Sequence, residues 1–175
     1  MNQWLRFKWD LGVLANSENP SHPPFIVRLA ERDEASVVQK VVHSAFSMDA
    51  SWGDTTRNLE EYLRAGVAAS LSSDPVHCIV LQHGSRVIGA SAFSIDPAET
   101  NNLLTGPCIL HEYRSRGLGS WMLELSLLAL RDHGLKHAHG VTRVYTPSAK
   151  FLYPKFGGVS EIWESPVRIN PKLAA

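Results

Sequence analysis

Hydrophobic positions along the chain switch between two periods. From residue 4 to 11, Leu5, Phe7, Trp9 and Leu11 alternate with Arg6, Lys8 and Asp10, and period two predicts a half-buried strand. Residues 16–24 are rich in Ser, Asn and Pro and read as a connector. A short apolar strand follows at 25–29. Val37, Val41 and Ala45 then run beside Val38, Val42 and Phe46 as two i, i+4 rows, which marks an amphipathic helix. Residues 47–57 (SMDASWGDTTR) form a loop with turn residues around Trp52. Asn58 and Glu61 have capping-box spacing, ahead of Leu59, Tyr62, Leu63, Gly66 and Val67 at helical spacing.

Residues 76–82 and 86–95 are apolar runs joined through His83, Gly84 and Ser85, a hairpin signal. After a turn at 97–102, residues 103–110 read as a central strand. Gly106 and Pro107 lie inside it, and because proline donates no backbone hydrogen bond, pairing should break there, as at a bulge beside a ligand. A helix is predicted from Gly117 to His133, closed by Gly134. A strand at 138–145 comes next. Pro147 opens a short helix carrying Tyr153, which Pro154 and the Gly157–Gly158 pair end. A last strand covers 159–169, broken near Pro166. Strands and helices alternate without repeats, so the fold class is mixed α+β within the broad α/β type. Residues 1–24 form an N-terminal strand-and-connector arm ahead of a domain at 25–175. The arm would either cover a sheet edge or pair with a second subunit.

Composition narrows the function. The 175 residues hold 17 Lys plus Arg and 17 Asp plus Glu, enough chain for one substantial core and without the basic excess of a nucleic-acid binder. No run reaches membrane-span length and the start lacks an unbroken apolar signal core, so the reading is a cytoplasmic protein with no membrane partner. Cys78 and Cys108, both in apolar strand contexts, read as buried thiols rather than a disulfide. Cys108 has no activating neighbour in the sequence and reads as inert. His133, His137 and His139 are close in sequence, but no Cys or carboxylate set completes a metal-ligand pattern, so no metal is expected.

The chemistry concentrates at Arg114-Ser115-Arg116-Gly117-Leu118-Gly119-Ser120, between an apolar strand and a long apolar helix. A helix start exposes unpaired N–H groups and partial positive charge, which suits a phosphate. Gly117 and Gly119 let backbone approach the ligand closely, and Arg114 and Arg116 add charge. A Walker loop is absent, and Met122 stands where a dinucleotide fingerprint needs its third glycine. Arg-x-x-Gly-x-Gly, on Arg114, Gly117 and Gly119, resembles the coenzyme A loop of the GNAT superfamily of N-acetyltransferases. Residues 148–157, with Ala149, Leu152, Tyr153, Lys155 and Gly157, resemble the same family's second signature, Ala-x-x-Leu/Phe-Tyr-x-Lys-x-Gly. The resemblance spans roughly Phe25 to Gly158. Two departures stand out: Thr146 occupies the place of the family's Asn, and Gly158 that of its Phe.

The resemblance implies a central, mostly antiparallel sheet with splayed central strands flanked by helices. It also implies acyl transfer from acetyl-CoA to a primary amine by direct attack. Residues 115–120 would grip the pyrophosphate, and backbone near Cys108, Ile109 and Leu110 would pair with the pantetheine and polarise the thioester. Thr146 and Ala149 would complete the cofactor site. Tyr153, protonated at neutral pH with an ordinary pKa near ~10, would donate a proton to the leaving thiolate; the other reading is a packing aromatic. The residues leave the general base open among His83, His111, Glu112, Asp49 and Asp54, each of which reads first as an ordinary solvated side chain. Asp49, Trp52 and Asp54 form either an amine pocket or a solvated loop with one anchoring Trp. The acceptor, a small molecule or a peptide amine, should meet residues 46–67, and relatives often form homodimers. Two other functions fit the same residues: a silent acyl-CoA sensor, and an unrelated protein binding a different phosphate ligand.

Overall fold

The computed structural model describes residues 3–15, 21–52 and 56–164, with backbone alone at 56–58. Strand β1 (Trp4–Asp10) follows its alternation: Phe7 and Trp9 are buried, and Lys8 and Asp10 are exposed. It forms neither an edge cover nor, within this chain, a free edge. It is the middle strand of a three-stranded sheet, between β6 (His137–Arg143) and β7 (Val159–Trp163), antiparallel to both. Alternation identifies a strand's buried face but not its neighbours.

The other sheet is antiparallel in the order β2 (Phe25–Leu29), β3 (Cys78–His83), β4 (Arg86–Ala92), β5 (Cys108–Ile109). The β3–β4 hairpin turns at Gly84, whose φ of +58° suits glycine. Helix α1 (Ala35–Ser47) buries Val38, Val41, Val42 and Ala45. Helix α2 (Thr56–Ser72) places Leu59, Leu63, Val67 and Leu71 in one buried stripe. It begins before Asn58, so that residue lies inside the helix and is not its cap. Helix α3 (Leu118–Asp132) is apolar over most of its surface and buries seven side chains, among them Trp121, Leu123 and Leu127.

The expected strand at 103–110 is paired only at Cys108–Ile109. Upstream, Gly106 takes φ +62°, and side chains replace the ladder: Thr105 Oγ1 accepts the Ala92 N–H at 3.0 Å. The two sheets meet at the base of this segment. His139 O accepts from the N–H groups of Asn102 (2.8 Å) and Leu103 (3.1 Å). Asn102 Oδ1 accepts from His139 N–H at 2.9 Å, and Asn101 Oδ1 from Val141 N–H at 3.1 Å. Beyond this staple β5 pairs with β4 alone, so β5 and β6 diverge and a gap opens between them. The mixed α+β class and the splayed, mostly antiparallel arrangement expected from the sequence are both present. The part of the final strand expected at 165–169 lies outside the described residues.

Candidate active site

A cavity of about 360 Å³ occupies the gap. Ser115, Gly117, Leu118, Gly119 and Ser120 line it at the start of α3, Cys108 and Ile109 along β5, and Tyr153 from the segment after β6. Ser115 (φ +62°) and Gly117 (φ +75°) are left-handed, and left-handed residues in a turn are the kind of conformation in which successive N–H groups form anion-binding concavities. Gly117 is the residue just before α3, whose first N–H groups have no partner within the helix.

Gly119 is different. Its φ is ordinary, and a Cβ placed on it would meet no protein atom nearer than Leu152 Cδ2 at 4.0 Å. Nothing in the packing or the backbone requires a glycine, which costs a helix about 1 kcal/mol relative to Ala. Among the described residues, no protein atom closely fills the space in front of Gly119. An opening beside the unpaired N–H groups of a helix start has the chemistry to hold an anion such as a phosphate.

Tyr153 sits at the junction of two irregular turns, a π-type turn at Ser148–Leu152 and a 3₁₀ turn at Tyr153–Phe156. Pro154 therefore lies in the second turn rather than ending the helix; Gly157, at φ +82°, ends it. The Tyr153 ring is edge-on to Phe7 (5.3 Å between centroids) and Trp9 (5.2 Å), both from β1. Its hydroxyl reaches Gly106, where a Cβ would come within 2.5 Å of it. Burial, with a smaller contribution from Cys108, pushes its pKa well above the ordinary phenol value. The two sequence motifs converge where Lys155 Nζ donates to Ser120 Oγ at 3.2 Å.

The sequence model of the Acetyltransferase (GNAT) family matches residues 40–157, the span that carries the loop, all the cavity lining but Trp4, and Tyr153. The chain belongs to the GNAT acetyltransferase family. Among solved structures it is similar to a Drosophila protein (14% identity, TM-score 0.63, covering 92% of this chain and 48% of that one). A GNAT-family acetyltransferase from Colwellia psychrerythraea aligns comparably (12%, 0.63, 93% and 54%). So does the GCN5-related glucosamine N-acetyltransferase region of a fungal multi-domain GH3 β-N-acetylglucosaminidase (13%, 0.61, 92% and 20%). At such identities the likeness is one of fold, and the chain spans about half the length of the first two. No curated protein matches it.

Within this GNAT frame the remaining expected residues are placed unevenly. Arg114 lines the cavity, but its guanidinium is turned inward, donating to Ile109 O (3.2 Å) and Ala45 O (2.7 Å). It ties the loop to β5 and α1. Arg116 is not on the wall; it lies over the Tyr113 ring at 5.4 Å and donates to Glu112 O. Leu110 also stands off, its N–H held by Ile88 O at 2.9 Å. Thr146 is buried behind the wall, where its hydroxyl donates to Arg143 O (2.9 Å) and accepts from Ala149 N–H (3.2 Å). Thr146 and Ala149 thus start the turn that carries Tyr153 and do not line the cavity.

Both cysteines are free and buried, with thiols pushed up to about 12 by burial; neither is a nucleophile at neutral pH. Among the described residues no three His, Cys, Asp or Glu side chains converge as metal ligands would, and no helix is long and apolar enough to cross a membrane. Of the base candidates, Asp49 lines the cavity. His83 pairs with the Tyr113 hydroxyl (3.1 Å) and Glu112 with Arg86 (3.2 Å); His111 is exposed, and Asp54 lies outside the described residues. Sequence reasoning missed Trp4, Asn101 and Thr142 on the wall, whereas Phe46 and Tyr62 fall within the stretch 46–67 expected to meet the acceptor, without being singled out there. These belong to no motif and meet only through the fold.

Proposed function

We propose that this GNAT-family chain is an acyl-CoA-dependent N-acyltransferase that moves the acetyl group of acetyl-CoA to a primary amine by direct attack. The observation that carries the reading is Gly119, a helix-weakening residue facing space that no protein atom needs. Acetyl-CoA supplies an acyl group already activated as a thioester. The N–H groups of residues 115–120 hold the pyrophosphate, with Ser120 and Lys155 adding polar contacts. Among the described residues, backbone at Cys108 and Ile109 pairs with no strand on the side away from β4, although the Ile109 carbonyl accepts from Arg114, and that edge accepts an extended ligand as a sheet edge accepts a strand.

In the proposed step a neutral amine nitrogen bonds to the thioester carbon, the C–S bond breaks, and Tyr153 gives its proton to the sulfur. Burial favours the neutral phenol, so Tyr153 is ready as a donor over the whole neutral range. Asp49 is the carboxylate on the wall suited to take the amine's proton. Calorimetric titration with acetyl-CoA, beside a Gly119→Glu variant, tests the reading. Binding by the natural chain that vanishes in the variant is expected, because a carboxylate would occupy the phosphate space. A folded natural chain that binds no acetyl-CoA would overturn the proposal. Binding without transfer to any amine would leave a sensor.

A further inference from the structure

One wall of the cavity is built unlike the rest. β1, the last turn of α1, the loop after it and α2 contribute Trp4, Phe46, Trp52 and Tyr62, with Leu59 and Leu63 between them. Trp52 is the centre of this wall: its ring lies 5.9 Å from Trp4 and 4.8 Å from Phe46. Arg143 fixes it by donating to the carbonyls of Ser51 (2.9 Å) and Trp52 (3.0 Å). Into this apolar surface comes one carboxylate, Asp49, the only one among the described residues of the wall. Its Oδ1 accepts the Ser51 N–H at 3.0 Å, and its Oδ2 has no partner among the described residues. Tyr62 accepts from Asn101 Nδ2 at 2.9 Å, which leaves its own hydroxyl proton to donate.

This chemistry selects a ligand. One carboxylate compensates one ammonium, and aromatic faces attract both that cation and an apolar body. A polyamine or a polyamino sugar would set further ammonium groups against tryptophan and leucine, and an uncompensated buried charge is costly. Resting on the acyltransferase reading above, we infer that the acceptor is a small monoamine with an aromatic or bulky apolar body, its ammonium on Asp49 and its body against Trp52, Phe46 and Tyr62.

The test is steady-state acetyl transfer by the full chain to phenethylamine and tryptamine, against putrescine and spermidine. The aromatic monoamines should show kcat/KM at least tenfold higher. Asp49→Asn keeps the acceptor for Ser51 but removes the charge that holds the ammonium and takes its proton; it should lower kcat/KM for phenethylamine at least tenfold, through KM as well as kcat, with acetyl-CoA affinity by calorimetry unchanged. Phe46→Leu, a milder change than any at Trp52, should narrow the preference several-fold. Better use of spermidine, or acetyl-CoA binding with no transfer to any of the four amines, would overturn this inference while leaving the cofactor site standing. Loss of acetyl-CoA binding itself would instead strike the acyltransferase reading.

Discussion

Trp9 and Gly158 share a single space. A Cβ on Gly158 would stand 2.9 Å from the Trp9 indole and 2.6 Å from the Tyr153 carbonyl, both closer than packed atoms sit. The family's second signature ordinarily places a Phe after its last glycine. Here Gly158 takes that place, and the indole beside it comes from β1, near the other end of the sequence. The same indole packs edge-on against Tyr153, so the N-terminal strand sets the position of the proposed proton donor.

Gly158→Ala should therefore lower the unfolding free energy by about 1–3 kcal/mol, the usual cost of overpacking a filled core. Denaturant unfolding measures it. Combining the change with Trp9→Leu should recover only part of the loss attributable to the clash, since the Tyr153 carbonyl remains in the way. Unchanged stability would mean that the two backbones can part freely.

Tyr153→Phe removes the phenol proton and little else, because the ring contacts with Phe7 and Trp9 persist. Turnover should fall on the order of 10²-fold, the scale of a lost general acid, with acetyl-CoA affinity retained. Gly106→Ala provides an independent arm. Its Cβ would meet the Tyr153 hydroxyl at 2.5 Å and its φ is +62°, so the phenol must move. Turnover should fall although Tyr153 is still present. Normal turnover in Tyr153→Phe would remove the phenol from the mechanism.

The loop and the Tyr153 segment were legible in the sequence because each is local: left-handed residues, a helix start and a turn are encoded within a few positions. The partner of β1 was not, since alternation reveals which face is buried and not which strands lie alongside. Trp4 shows the same limit. It falls on the polar side of the alternation, yet is buried because Trp52 covers it. The segment 103–107 looked like strand because it is apolar. It is held instead by isolated backbone bonds from Leu103 and Thr105 together with the side chains of Asn101, Asn102 and Thr105, and no apolar pattern encodes that. The wall proposed to meet the acceptor lies mostly within residues 46–67, the stretch read from the sequence as the acceptor surface, but Trp4 joins it from β1 only through the assembled fold.

Asn102 carries the staple between the sheets. Besides accepting from His139 N–H, its Nδ2 donates to Ser94 O (3.1 Å) and Asp96 O (3.0 Å). Asn102→Ala leaves buried backbone groups unpaired, and such groups typically cost about 1–3 kcal/mol. Denaturant unfolding should show a loss of that order. Amide exchange at His139 should accelerate more than exchange in β3, which the staple does not touch. Equal protection at both places would show that the two sheets hold together without it.

Stability should fall at both ends of the pH scale. On the alkaline side, burial raises the Cys78 and Cys108 thiols to about 12 and raises Tyr153 as well. The folded chain thus keeps protons that the unfolded chain releases from about pH 8.5 for thiols, and stability declines as pH rises above that value. On the acid side, burial lowers the pKa of His77, helped by the nearby His133, and of His139, helped by Arg6 and Lys8. The unfolded chain takes up protons below about pH 6.5 that these buried rings refuse, so stability declines as pH falls through that range. Thermal midpoints measured from pH 5 to 10 should trace a plateau between the two limbs. Cys78→Ala, remote from the cavity wall, should flatten the alkaline limb without moving the acid one. An alkaline limb identical in that variant would mean that the Cys78 thiol ionises as readily folded as unfolded.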